Sequence, residues 1–329
     1  MECDGLGNDK DYKGRVEDDQ RIISLILNNQ VEQRRNCMKI YLKVLGEDPG
    51  RCVDSWMYAN HYKKLLWKSD EIVPLTKFNS IGPNDADIFI RICKDNDFNT
   101  NRFIIGLAFN ALNQFCFWFD RNDLSERSLR SSDIGLPQIE DKFEFLKLAP
   151  TLLKERTQLN NNFSKYLHSI SSYNMRPIEL IWNILNFEGF NYDVFRKKKE
   201  LFLMFMFRYF DALGLPEEFN SIRKWVNPAI DYQVPKMLEA TGIISYPTNI
   251  KRKIDKGKLI LKDSYEELYI RSLSYFTLID MQSKFHNLVL NGERIDSFDQ
   301  VDLDWYFWSR RNENNVWGYK HHCTITEDY

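Results

Sequence analysis

Apolar positions recur at helical spacing along most of the chain, and polar or Gly/Pro-bearing stretches separate the runs. Residues 20–46 (QRIISLILNNQVEQRRNCMKIYLKVLG) predict a helix that stops at Gly46, behind a polar lead-in over residues 1–19. Residues 52–67 carry Trp56, Tyr58, Tyr62, Leu65, Leu66 and Trp67, which reads as a helix with an aromatic face, or a helix and a strand. Pro74, Gly82 and Pro83 make residues 71–90 irregular. Residues 102–119 are apolar nearly all round and predict a buried segment.

A polar, turn-rich stretch at 120–140 is a loop or an internal boundary. Helices are expected at 141–172 and at 176–186, with Pro177 suited to a first turn. Another is expected at 193–213, with Asp193 as its cap and Gly214 and Pro216 near its end. Residues 217–242 read as helix, turn at Asn227-Pro228, and helix ending at Gly242. A long amphipathic helix over 262–292 and a last one over 296–310 precede a polar tail. The reading is a mainly α chain with few or no strands, one helical domain over 20–329.

Composition narrows the class. Only 14 Gly and 10 Pro in 329 residues favour long helices over a many-turned β-sandwich. With 43% hydrophobic and 14% aromatic residues the chain can build a large core. The formal charge is −2, from 45 basic and 47 acidic residues. A duplex-binding protein usually shows a basic excess. No stable nucleic-acid complex is therefore expected, whereas a small anionic ligand needs only two or three local cations. The six cysteines include no CxxC pair, so reduced thiols in a cytoplasmic protein are expected, with no metal and no cofactor. No run of about 18 apolar residues suggests a membrane span. Protein partners are not legible.

Three constellations could carry chemistry. In FEGFNYDVFRKKKELF (187–202), Lys197, Lys198 and Lys199 crowd a helix N-terminus, where the macrodipole disfavours cations. A bound anion would relieve that, and a solvated basic face is the plainer alternative. Only one of three consecutive lysines can face a given pocket. In AIDYQVPKMLEATG (229–242), Asp231 is placed either to cap a helix or to stabilise an oxocarbenium ion and activate water. In VDLDWYFWSRR (301–311), Asp304 and Trp305 lie on an aromatic stripe. That stripe is core packing, or a wall that stacks a flat heterocycle while a carboxylate takes hydrogen bonds from it.

In this order the segments resemble the queuosine 5′-phosphate N-glycosylases, also called queuosine salvage proteins. The family's FEG…FYKRAQIL is similar to Phe187-Glu188-Gly189 followed by FRKKKEL, its DYR-[VL]-PQ-x-L-x-x-x-G to DYQVPKMLEATG (231–242), and its LDYYLW to LDWYFW (303–308). The stretch ALNQFCFW (111–118) is similar to the family's ALNFCFW, and Tyr269-Ile270-Arg271 to its Glu-Ile-Arg helix. His321 and His322 stand in the region of its HR-x-R tail.

The resemblance implies a helical fold like that of the helix-hairpin-helix DNA glycosylases. It also implies hydrolysis of a 7-deazaguanine nucleoside or 5′-monophosphate without a metal. By position it makes Asp231 the catalytic carboxylate. Lys197 and Lys198 become phosphate contacts, and Tyr232 and Arg271 further substrate-binding residues. Phe117, Trp118, Asp304 and Trp305 become the base seat, and His322 a substrate contact. A DNA glycosylase acting on a flipped base and a nucleotide-binding protein without activity are the alternatives.

Overall fold

The computed structural model describes residues 9–46, 100–113, 142–213, 219–292, 298–310, 318–324 and 326. The expectations for 52–67, 71–90 and 120–140 lie outside them, as do Phe117 and Trp118. The described residues are mainly α: α1 (Asp9–Val44), α2 (Thr100–Asn113), α3 (Lys142–Ser169), α4 (Pro177–Asn186) and α5 (Lys197–Leu213) are followed by α6 (Asn220–Arg223), α7 (Gln233–Ala240), α8 (Thr248–Asp255), α9 (Tyr265–Leu290) and α10 (Gln300–Ser309). The β structure among them is one isolated bridge, Leu259 to Cys323. No described helix is long and apolar enough to cross a membrane.

Local chemistry sets the helix ends. Pro177 occupies the first turn of α4, and Glu179 returns to the backbone N–H of Arg176 at 3.2 Å. Ser264 caps α9, accepting from the Glu267 N–H at 3.3 Å. Asp299 and Asp302 cap α10 reciprocally. Gly242 (φ 75°) and Gly292 (φ 74°) end α7 and α9 in the left-handed region that glycine tolerates. The lead-in is shorter than expected. Residues from Asp9 onward already belong to α1.

Among the described residues two large apolar clusters lie in the interior, with a smaller one of Ile250, Ile254, Ile260 and Ile270 beside them. The first joins Ile22, Ile23 and Ile26 of α1 to α2, α4 and the Leu201–Phe210 stretch of α5. The second joins Cys37, Met38, Tyr41 and Leu42 of α1 to α7, α9 and α10. α1 thus runs along both. The polar tail is not a solvated end: His321, His322, Cys323, Thr324 and Thr326 are buried, and the Ile260 N–H donates to the Cys323 carbonyl at 2.8 Å. Pairing its backbone is what allows so polar a segment inside. Cys37 and Cys323 are buried cysteines outside any disulfide among the described residues.

Candidate active site

A cavity of about 220 Å³ opens at the seam between the two clusters. One face of α5 supplies Lys197, Leu201 and Phe205, at successive intervals of four. The stretch from Ala229 into α7 supplies Asp231, Gln233, Val234 and Met237. α10 supplies Asp304, Trp305, Phe307 and Trp308. Four of the expected residues, Lys197, Asp231, Asp304 and Trp305, therefore meet on one wall.

Asp231 does cap α7, with one oxygen. Its Oδ1 accepts the backbone N–H groups of Gln233 (2.7 Å) and Val234 (3.1 Å). Capping and a cavity role are therefore compatible. Trp305 and Trp308 stack at 5.2 Å between centroids, and the Arg208 guanidinium lies 5.6 Å over the Trp305 ring. Arg208 also pairs with Asp302 (3.4 Å). Burial, with Asp231 nearby, pushes the Asp304 carboxyl up to about 7 against the opposing charges of Lys197 and Arg208.

The lysine run is not a solvated face. Lys197, Lys198 and Lys199 are 3%, 3% and 2% exposed. Burial lowers the Lys197 ammonium's pKa, and Asp231, Asp304 and Asp193 counter it. Lys199 donates to Asn29 Oδ1 on α1 (2.6 Å), the atom that also receives Arg196 (2.8 Å). Lys197 alone of the three lines the cavity. Nor is the start of α5 bare: Asp193 takes the N–H groups of Lys197 (3.0 Å) and Phe195 (3.2 Å). An anion here would meet the Lys197 side chain rather than those amides.

The other expected residues stand behind the wall. Arg271, 2% exposed, grips Asp193 with two hydrogen bonds of 2.7 and 2.5 Å. It also donates to Glu267 (3.1 Å) and to the Ile230 carbonyl (3.1 Å). It is a positioning residue, holding the caps and the backbone next to Lys197 and Asp231. Tyr232 is buried with its ring 4.8 Å from that of His321. Burial pushes His322 down to about 3 and His321 to about 4, so both are neutral at pH 7. Lys198, Tyr232, Arg271 and His322 are not on the described wall.

Asn110, Gln233 and Phe205 line the cavity without having been singled out in the sequence. Gln233 stands two residues after Asp231, and its Oε1 is buried without a hydrogen bond among the described residues. Asn110 and Phe205 lie in apolar runs that carry no motif, so their sequence gives no signal.

Against known proteins, a model of the queuosine salvage protein family matches residues 121–327. A Mus musculus protein named queuosine 5′-phosphate N-glycosylase/hydrolase is 25% identical over 114 residues, 34% of this chain. That stretch spans 32% of the mouse protein's own length.

Proposed function

Since the chain belongs to the queuosine salvage protein family, we propose that it hydrolyses the N-glycosidic bond of queuosine 5′-monophosphate, or of a related 7-deazaguanine nucleotide or nucleoside, releasing the free base. The observation that carries this reading is the meeting of Asp231, Asp304, Lys197 and Trp305 on one cavity wall. Breaking a C1′–N bond builds positive charge on the sugar. A carboxylate fixed beside it stabilises that charge without reorganising. Asp231 is so fixed, by two backbone N–H groups on one oxygen. Trp305 offers the base a flat face. Lys197 is the cation of the described wall, and we assign it to the 5′-phosphate.

The test is incubation of purified protein with queuosine 5′-monophosphate, queuosine and GMP, following free base by chromatography with mass detection. Base release from the deazaguanine substrates is expected. Asp231→Asn keeps a capping oxygen and removes the charge, and turnover should fall by about 100-fold or more. Full turnover in that variant excludes the assignment.

A further inference from the structure

The two carboxylates on the wall differ in surroundings. Asp231 Oδ1 receives two backbone N–H groups, those of Gln233 and Val234. Asp304 receives no hydrogen bond and forms no ion pair among the described residues, although it lines the same cavity. Lys197 on α5 faces both carboxylates. Arg208, also on α5, is engaged by Asp302, the Val301 carbonyl (3.4 Å) and the Trp305 ring. α9 meets α10 through the uncharged Gln282–Gln300 pair (2.8 Å). Lys197 thus stands among three carboxyls, Asp231, Asp304 and Asp193, and of these Asp304 lines the cavity without a hydrogen bond or ion pair among the described residues. Where neighbouring titratable groups have such different environments, the acid and base roles separate between them.

From this we infer that Asp304 is the general acid of the site, delivering a proton to the base as the glycosidic bond breaks. The inference rests on the N-glycosidic reading above and names the proton donor that the reading requires. The C1′–N electron pair goes to the base, and the Asp304 proton follows it. A water oxygen bonds to C1′ and one water proton returns to the carboxylate pair, restoring the neutral Asp304. One water is consumed and nothing is oxidised or reduced. The upward displacement of Asp304 to about 7 agrees, since a general acid works best with its pKa near the working pH.

The experiment compares wild type with Asp304→Asn, which is nearly isosteric. With queuosine 5′-monophosphate, kcat should fall about 100-fold or more. The wild-type decline in kcat above about pH 7 should vanish in the variant, and KM should change far less than kcat. A loss under about tenfold, or an unaltered alkaline limb, overturns the inference. A 4-nitrophenyl riboside 5-phosphate, whose phenolate leaves without a proton, sharpens the result. If wild type cleaves it, Asp304→Asn should spare it whereas Asp231→Asn should not, and equal losses in both variants refute the acid role. An infrared titration of the free protein separates this inference from the substrate reading. A protonated-carboxyl band at about pH 6 that is missing from Asp304→Asn supports a proton on Asp304 even if no deazaguanine substrate is cleaved. Absence of that band overturns the inference whatever the substrate.

Discussion

Replacing Arg271 by Met tests how the wall is held. Arg271 and Asp193 are 2% and 6% exposed and share two hydrogen bonds of 2.7 and 2.5 Å. Removing the cation leaves the Asp193 carboxylate with the N–H groups of Phe195 and Lys197 and takes an ion pair from the buried Glu267 as well, and breaking such a buried pair costs about 3–5 kcal/mol. Burial pulls the Asp193 carboxyl up, but Arg271 and those two amides outweigh it, and its pKa is lowered. The stability contributed by the pair is therefore present above about pH 4 and lost as pH falls through the lowered value. Without Arg271 the balance reverses, and Asp193 gains a proton as pH drops. Urea unfolding at a series of pH values should show a deficit of about 3–5 kcal/mol near neutrality. It should narrow toward about pH 4, and Asp193→Asn in the same chain should recover part of it. A deficit under about 1 kcal/mol, or one that does not vary with pH, would refute the reasoning.

Two further outcomes concern packing and charge. Gly189→Ala places a Cβ 2.5 Å from Leu159 Cδ1 and 2.7 Å from Phe187 Cε1. It should cost about 1–3 kcal/mol, read as a lower melting temperature. Asp304→Asn should stabilise the protein by about 2–4 kcal/mol at pH 8. The folded pKa near 7 lies above the ordinary 3.8, so the penalty is complete above about 7 and gone below about 4. Denaturant midpoints at about pH 8 and pH 4 check it, and equal gains at both would contradict the electrostatic account.

Much of the architecture was legible because helix periodicity and end signals agree. The expected ranges 176–186 and 262–292 correspond to Pro177–Asn186 and Tyr265–Leu290, and Pro177, Gly242 and Gly292 act as read. Asp193 lies one turn ahead of α5, yet does the capping expected of it. α8 (Thr248–Asp255) was not foreseen, since Ile250 and Ile254 alone form its buried stripe. At the site, Lys197, Asp231, Asp304 and Trp305, singled out on separate motifs, all line the cavity. The inward role of Arg271 was not legible, because its partner Asp193 lies 78 residues away. The burial of all three lysines was equally out of reach, since a run of cations reads as solvated until an acceptor such as Asn29 is brought to it from another helix.

α1 lies outside the stretch matched by the family model, yet Asn29 receives Lys199 and Arg196. Arg34 donates to Asn227 at 3.1 Å and stacks over Trp225 at 5.1 Å. Gln33 reaches the Val194 carbonyl at 2.7 Å. These partners are 161 to 193 residues further along the chain. On the ribosome, α1 is therefore complete long before the groups that cover it exist. Its isoleucines Ile22, Ile23 and Ile26 belong to a cluster that extends past Phe210, so their packing is completed only after those residues have been made. The segments beside Lys197 and Asp231 therefore reach α1 only after 161 or more further residues have been joined to it.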